Sequence, residues 1–244
     1  MGEFIYVSEF IHLWLMIKHV FFDLDRTLWD FEKNSHNELV NLWSKHQLHQ
    51  KGISLPDEFI RIYKRINEDC WALYRDNAIT KEDLRTKRFA DTLEYFGILD
   101  PKVAESIGHD YVTNCPYRTE LFPNVFEIID YLKSKYELHI ITNGFEEVQH
   151  VKMKQSNLTE HFSEIITSEK AGAKKPHPQI FAYAVDKVGV SARDCVMIGD
   201  DLLCDIEGAI DFGMQAIYFN PHKVKHNLNV LGNVQDLIEI KAFL

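Results

Sequence analysis

Basic charge is what this chain has too little of: 27 Lys and Arg stand against 37 Asp and Glu, a formal net charge of −10 with a pI near 5.6. That balance argues against a surface for nucleic-acid polymers or anionic membranes, which calls for basic patches. An anionic substrate would need a local cation instead. Cysteine is scarce as well. Cys70, Cys115, Cys195 and Cys204 form no CxxC pair and no ligand-like cluster, which points to reduced thiols and a cytoplasmic setting. No apolar run approaches the ~20 residues of a membrane helix. Phe10 to Met16 is apolar but follows Glu3 and Glu9, with no basic segment and no small-residue cleavage site, so it reads as neither a signal peptide nor a span. Because Met16 is a natural start for the first strand, residues 1–15 are expected to be an extension, dispensable or produced by start-site misassignment. Internal repeats and low-complexity tracts are also missing. Hydrophobic content of 45% and charged content of 26% are ordinary for a globular protein, and 244 residues suit one domain with an insertion.

Strand-like runs bounded by turn residues occur at Lys18 to Leu24, Glu137 to Thr142, Glu164 to Thr167, Cys195 to Gly199 and Gln215 to Phe219. Helical patterns lie between the later ones: Val125 to Lys133, Glu146 to Gln155, Gln179 to Val188 and Asp205 to Phe212. Alternating strands and helices predict an α/β fold with a doubly wound parallel sheet, Rossmann-like. From Asp30 to about Tyr117 the first connection is far longer than such a unit needs. It reads as helices over Asn34 to Gln50, Pro56 to Asp76, Thr80 to Phe96 and Pro101 to Asn114, with a capping signal at Thr80-Lys81-Glu82-Asp83. The expected organisation is a catalytic core of residues 16–32 and 116–244, with a helical cap of residues 33–115 inserted after the first strand. A cap at a sheet's carboxyl edge can close over a ligand and exclude water. Leu237 to Leu244 reads as a closing amphipathic helix.

The most informative stretch is Asp23-Leu24-Asp25-Arg26-Thr27, directly after the apolar His19-Val20-Phe21-Phe22. With a side-chain period of two, Asp23 and Asp25 leave the strand end on one side, toward one reaction centre. Three later strand ends supply complementary groups. Ile141-Thr142-Asn143-Gly144 offers a hydroxyl and turn N–H groups suited to phosphate oxygens. Gly172-Ala173-Lys174-Lys175-Pro176 offers an ammonium, and Ile198-Gly199-Asp200-Asp201, continuing to Asp205, is acidic enough for a divalent cation. Hard oxygen ligands with room for water favour Mg²⁺ over zinc. A carboxylate attacking a phosphate monoester brings like charges together, so a cation must intervene. Mg²⁺ between Asp23, the Asp25 carbonyl and Asp200 would do this, while Lys175 would hold the nucleophile and a phosphate oxygen. Asp25 would protonate the leaving oxygen and later deprotonate the hydrolytic water.

Together these segments resemble the haloacid dehalogenase (HAD) superfamily, whose four motifs look like Asp23-x-Asp25-x-Thr27, Thr142, Lys175 and Gly199-Asp200 with Asp205. The resemblance covers 16–244. Its DxDxT form implies the phosphatase branch, since a true 2-haloacid dehalogenase would lack the second aspartate. Asp201 stands where the metal loop commonly carries serine, and Trp29-Asp30 is a further departure. Asp201 leaves the third metal ligand open between Asp200 and Asp201, with Asp201 otherwise in a supporting position, and Asp205 is expected to support Lys175 or the metal.

The cap segment Trp71-Ala72-Leu73-Tyr74 through Ile79-Thr80-Lys81-Glu82-Asp83-Leu84-Arg85 to Arg88-Phe89, and Thr142-Asn143-Gly144 through Val148-Gln149, resemble the bacterial house-cleaning pyrimidine 5'-nucleotidases. That subfamily implies Mg²⁺-dependent hydrolysis of a small phosphorylated metabolite, a nucleoside monophosphate with pyrimidine preference, by a monomer or homodimer. The expected phosphate-binding set is Thr142, Asn143, Gly144 and Lys175. Trp71, Tyr74 and Arg88 are candidate substrate contacts, although aromatics at helical spacing ordinarily form helix-packing core and an arginine there can equally pair with an acid. The alternative enzyme is a small sugar-phosphate or phosphoglycolate phosphatase. A mutase would need a cap that disfavours water. From a different class, an inert phosphate-binding regulatory module would be marked by loss of Asp23, Asp25 or Lys175, all of which are present.

Overall fold

The computed structural model describes residues 17–244; the expected extension at residues 1–15 lies outside them. Two compact units emerge, one comprising the chain up to Asp30 with Glu120–Leu244, the other Phe31–Thr119. The junction is fixed at 30 and 120, slightly outside the 33 and 115 of the sequence reading. There the Asp30 N–H donates to the Glu120 carbonyl at 3.0 Å and Trp29 pairs with Leu121.

The first unit is built on a six-stranded, all-parallel sheet. Its strands are β1 (His19–Phe22), β2 (Glu137–Thr142), β3 (Glu164–Thr167), β4 (Cys195–Gly199), β5 (Gln215–Phe219) and β6 (Gly232–Val234), in the order β3-β2-β1-β4-β5-β6. The near-continuous apolar strands follow from burial on both faces. One face carries Phe21, Ile141, Ile166 and Met197 against Ile180, Phe181, Ala184 and Val185 of the helix Pro178–Val188. The helix Val125–Lys133 buries Val125, Ile128, Ile129 and Leu132 and packs on β2. With this strand order, the direction in which successive strands are added reverses at β1, so the carboxyl ends of β1 and β4 flank the crevice where such sheets bind ligands.

The sequence reading lacked β6, because Gly232-Asn233-Val234 has neither length nor alternation. The closing segment also differs: Leu237–Ala242 is a 3₁₀ helix, capped by the Asp236 carboxylate accepting from the Ile238 N–H at 3.0 Å. Leu237 and Ile240 are its buried residues, a spacing of three that suits three residues per turn.

The second unit is helical: α1 (Phe31–Lys45), α2 (Pro56–Arg75), α3 (Lys81–Tyr95) and α4 (Pro101–Asn114). Pro56 and Pro101 occupy first turns, where a missing N–H is tolerated. Thr80 and Asp83 form the capping box, the Asp83 N–H donating to Thr80 Oγ1 at 3.1 Å and the Thr80 N–H to Asp83 Oδ2 at 3.0 Å. The single helix expected over Asn34 to Gln50 instead ends at Lys45. Gln47 is left-handed at φ 51°, and a 3₁₀ turn, Leu48–Lys51, follows and closes on Gly52 at φ 101°. No described helix is long and apolar enough to cross a membrane.

Candidate active site

Asp23 follows β1 directly, and its N–H donates to the Ile198 carbonyl of β4 at 2.9 Å. After it the chain folds into a tight loop: the Leu28 and Trp29 N–H groups donate to the Leu24 carbonyl at 3.0 and 2.8 Å, with Arg26 left-handed at φ 65°. This loop brings Asp25 beside Trp29 and points Thr27 inward, where Thr27 Oγ1 donates to Asp200 Oδ1 at 3.3 Å. The closing threonine of DxDxT therefore ties the end of β1 to the acidic loop after β4, a contact sequence reasoning left unassigned.

Lys175 is the electrostatic centre. Its Nζ lies 2.6 Å from Asp23 Oδ1 and 2.6 Å from Asp205 Oδ1, and donates to the Ile141 carbonyl at 2.7 Å, with its side chain 2% exposed. Asp23 Oδ1 and the Ile141 carbonyl each accept a hydrogen bond from this ammonium, and Asp205 Oδ1 is its second ion-pair partner. The Asn143 side chain holds the lysine's backbone, Nδ2 donating to the Lys175 carbonyl at 2.9 Å and Oδ1 accepting its N–H at 2.7 Å. Within the expected phosphate set, the Asn143 amide is thus turned to the Lys175 backbone. The Gly144 N–H is engaged too, donating to Thr142 Oγ1 at 3.1 Å. Thr142 Oγ1 also accepts from Gln149 Nε2 at 2.7 Å, so the hydroxyl proton is the part of Thr142 left to donate.

Asp25 takes a different environment from Asp23. Lys152 Nζ lies 2.6 Å from its Oδ1, and Gln149 Nε2 donates to its Oδ2 at 2.8 Å. Gln149 and Lys152 stand three apart on the helix Glu146–Gln155, hence on one face, and the Lys152 ammonium sits 4.3 Å over the Trp29 ring. Lys152 was missed in sequence reasoning, which named Thr27 only as the last residue of the first motif; the spacing of Gln149 and Lys152 was the available signal. Trp29, a departure in the motif comparison, is fully buried and forms the apolar wall of this ammonium's site.

Asp23, Asp200 and Asp205 each bring a carboxylate oxygen within 4.8 Å of the others. Burial pushes the Asp23 carboxyl up to about 7 against the pull of Lys175, with Asp205 and Asp25 adding to the rise. Burial and the neighbouring Asp205 and Asp23 raise Asp200 well above the usual carboxylate range, and burial raises Asp205 as well. Three hard oxygen donors with excess negative charge and one organic cation are a donor set that fits Mg²⁺. Asp201 is placed otherwise: its Oδ1 accepts from the Leu203 and Cys204 N–H groups at 3.0 and 2.9 Å, capping the π-helical turn Leu202–Glu207. Its own N–H donates to Asp205 Oδ2 at 3.1 Å. Asp205 therefore links the Asp201 N–H to the Lys175 ammonium within this cluster. The side chain of Asp25 is outside this cluster.

Gly199 is required by close approach: a Cβ there would overlap the Asp205 carboxylate. Gly199→Ala should displace Asp205 from Lys175 and the cation site, raising the Mg²⁺ concentration for half-maximal turnover several-fold and lowering the melting temperature. A Mg²⁺ titration and a thermal melt check this; unchanged values would refute it.

In the helical unit, Arg88 is buried, donating to Asn67 Oδ1 at 3.0 Å and lying 4.9 Å from the Tyr111 ring centroid and 5.4 Å from that of Phe89. Tyr74 is buried, with Trp71 edge-on to it at 5.6 Å. For these residues the structure shows packing within the helical unit.

The haloacid dehalogenase-like hydrolase family pattern matches residues 17–213. The chain is 29% identical over 204 residues to the pyrimidine 5'-nucleotidase YjjG of Escherichia coli, covering 83% of this chain and 86% of that protein. It is 32% identical over 206 residues to a glyceraldehyde 3-phosphate phosphatase of Pyrococcus abyssi, covering 84% and 82%. Among solved structures, the magnesium-bound putative HAD-hydrolase YfnB of Bacillus subtilis superposes with a TM-score of 0.83 at 25% identity, over 93% of this chain and 97% of that one.

Proposed function

The chain belongs to the haloacid dehalogenase-like hydrolase family, and we propose that within it the protein is a Mg²⁺-dependent phosphomonoesterase acting through an aspartyl-phosphate, with nucleoside 5'-monophosphates, pyrimidine ones foremost, as substrates. The observation that carries the reading is the pair of carboxylates two residues apart, each ion-paired to its own lysine at 2.6 Å. Asp23 is clamped by Lys175, and Asp25 is aimed by Lys152 and Gln149. Mg²⁺, held by Asp23, Asp200, Asp205 and the Asp25 carbonyl, would supply the positive charge that lets a carboxylate approach an anionic ester.

With Asp23 Oδ1 held by Lys175, Oδ2 is the attacking atom. It bonds to phosphorus as the ester P–O bond breaks, and the leaving oxygen takes a proton from Asp25. Thr142 donates its hydroxyl proton to a phosphoryl oxygen. In the second step Asp25 removes a proton from water, which attacks phosphorus, freeing inorganic phosphate and Asp23. The nucleotide assignment is supported by the Escherichia coli relative and the cap motif. The Pyrococcus abyssi relative favours a second reading, a small sugar-phosphate phosphatase. The cytoplasmic setting rests on four buried cysteines that form no disulfide.

The test is phosphate release from nucleoside monophosphates, sugar phosphates and phosphoglycolate, with Mg²⁺ and with EDTA, reported as kcat/KM. Pyrimidine nucleotides should lead, and EDTA should abolish turnover. A tenfold lead for sugar phosphates, about 1.4 kcal/mol of transition-state preference, would move the assignment to the second reading; no Mg²⁺-dependent release from any ester would end the phosphatase reading.

Asp25→Asn should slow a nucleotide, whose alkoxide leaves poorly without a proton, by about 10²–10⁴-fold, and an aryl phosphate less in the first step. Equal losses for the two in single-turnover burst kinetics would remove Asp25 from the acid role.

A further inference from the structure

At the opposite edge of the sheet, the first residues of β1 and β2 are register partners, His19 against Glu137. His139, two residues along β2, shares the face of Glu137. His19 Nδ1 lies 3.1 Å from His139 Nε2, and Glu137 Oε2 lies 3.9 Å from the same His19 nitrogen. One donor atom from each of the three residues falls within 4.8 Å of the others. From these contacts we infer a second metal site at the amino edge of the sheet, a His₂Glu set for a borderline transition ion of the Zn²⁺ type.

Donor chemistry separates it from the carboxylate cluster. Two imidazoles and one carboxylate suit zinc, cobalt or nickel, whereas all-oxygen sets suit Mg²⁺. The spacing fits as well. Two nitrogens at about 2.0–2.1 Å from a tetrahedral ion stand about 3.3 Å apart, close to the observed 3.1 Å. The Glu137 side chain is 66% exposed beside a His19 side chain at 11%, which gives an ion a route in from solvent and leaves a coordination position for water.

Core packing does not account for the imidazole pair. His139 is fully buried in a row with Phe21 and Met197, and its Nδ1 has no hydrogen-bond partner. A buried nitrogen without a partner is costly, and an aliphatic side chain would fill the position without that penalty. Cys195, the register partner of His19 on β4, has its thiol on the Ser191 carbonyl at 3.2 Å, so the set is His₂Glu without sulfur. An ion here would tie β1 to β2 across 120 residues of sequence.

The experiment is a Co²⁺ titration of the full chain in saturating Mg²⁺, which keeps the carboxylate cluster occupied, followed by visible absorption. Tetrahedral Co²⁺ absorbs visible light strongly and octahedral Co²⁺ weakly, because a tetrahedral field lacks an inversion centre. The expected result is one equivalent giving strong bands, displaced by Zn²⁺ and lost in His139→Asn. Glu137→Ala, at an exposed position that the fold does not need, should weaken Co²⁺ by tenfold or more. Absence of strong bands, or bands unchanged in Glu137→Ala, would overturn the site and leave an N–H···N hydrogen bond between the imidazoles. Far-UV circular dichroism checks folding, and if His139→Asn fails to fold, Glu137→Ala decides.

Discussion

Asp23→Asn should abolish phosphate release, by about 10⁴–10⁶-fold in kcat, as removal of a covalent nucleophile does in other hydrolases, while the protein stays folded. The substitution removes the attacking oxygen and little volume. It also leaves Lys175 with Asp205 and the Ile141 carbonyl, both already in place. Its effect on stability has a definite sign. In the metal-free protein burial pushes Asp23 up to about 7, so between its unfolded value near 4 and 7 the folded state holds a proton that the unfolded state has lost. Folding stability from this group then falls as pH rises through that window. Asparagine carries no such penalty. In EDTA, Asp23→Asn should therefore melt higher than the native protein at pH 8, with the gap closing toward pH 4. Melting curves at several pH values, with phosphate release in Mg²⁺, check both parts. Near-normal turnover would refute the nucleophile assignment, and a variant that melts lower at pH 8 would refute the account of Asp23 as a destabilised charge.

The backbone frame of this site was legible because it rests on periodicity. Val125–Lys133 and Glu137–Thr142 fall where their apolar spacing put them, and DxDxT and Asp200 mark two strand ends by residue type alone, whereas Lys175 lies beyond the short helix Ser168–Ala171 that follows β3. What stayed hidden was hydrogen-bond direction. Nothing in Thr142-Asn143-Gly144 says that the asparagine amide turns to the Lys175 backbone, or that the glycine N–H folds back on Thr142 Oγ1. Lys152 was equally hidden, since a lysine on a mixed helix reads as solvated until the loop carrying Asp25 and Trp29 is seen beneath it. Asp201 and Asp205 illustrate the same limit. Four residues apart in an acidic loop, they are chemically alike, and only the π-helical turn makes one a cap and the other Lys175's partner.

Lys175→Met should cause a large loss of stability. The ammonium is buried against Asp23 and Asp205 at 2.6 Å each, and Asp205 is itself 1% exposed. Methionine fills most of the stem but leaves two buried carboxylates, with Asp200 close by, and no cation among them. Removing one partner of a buried charge pair costs about 3–5 kcal/mol. For a chain of this size that is a fall of about 6–20 °C in melting temperature. Without the lysine, Asp23 and Asp205 lose the influence that holds their carboxyls down, so the folded state binds protons more readily than the unfolded one. Acidification from pH 8 toward 5 in EDTA should accordingly recover part of the loss. Mg²⁺ should raise the melting temperature of the variant more than that of the native protein, because a divalent ion supplies the charge the lysine no longer does. Turnover should remain about 10²-fold or more below native even in saturating Mg²⁺, since the ion neutralises Asp23 but does not aim it. If the variant melts within 2 °C of the native protein in EDTA and shows no larger response to Mg²⁺, Lys175 is a local anchor for Asp23 and the charge balance of the site is set by other groups.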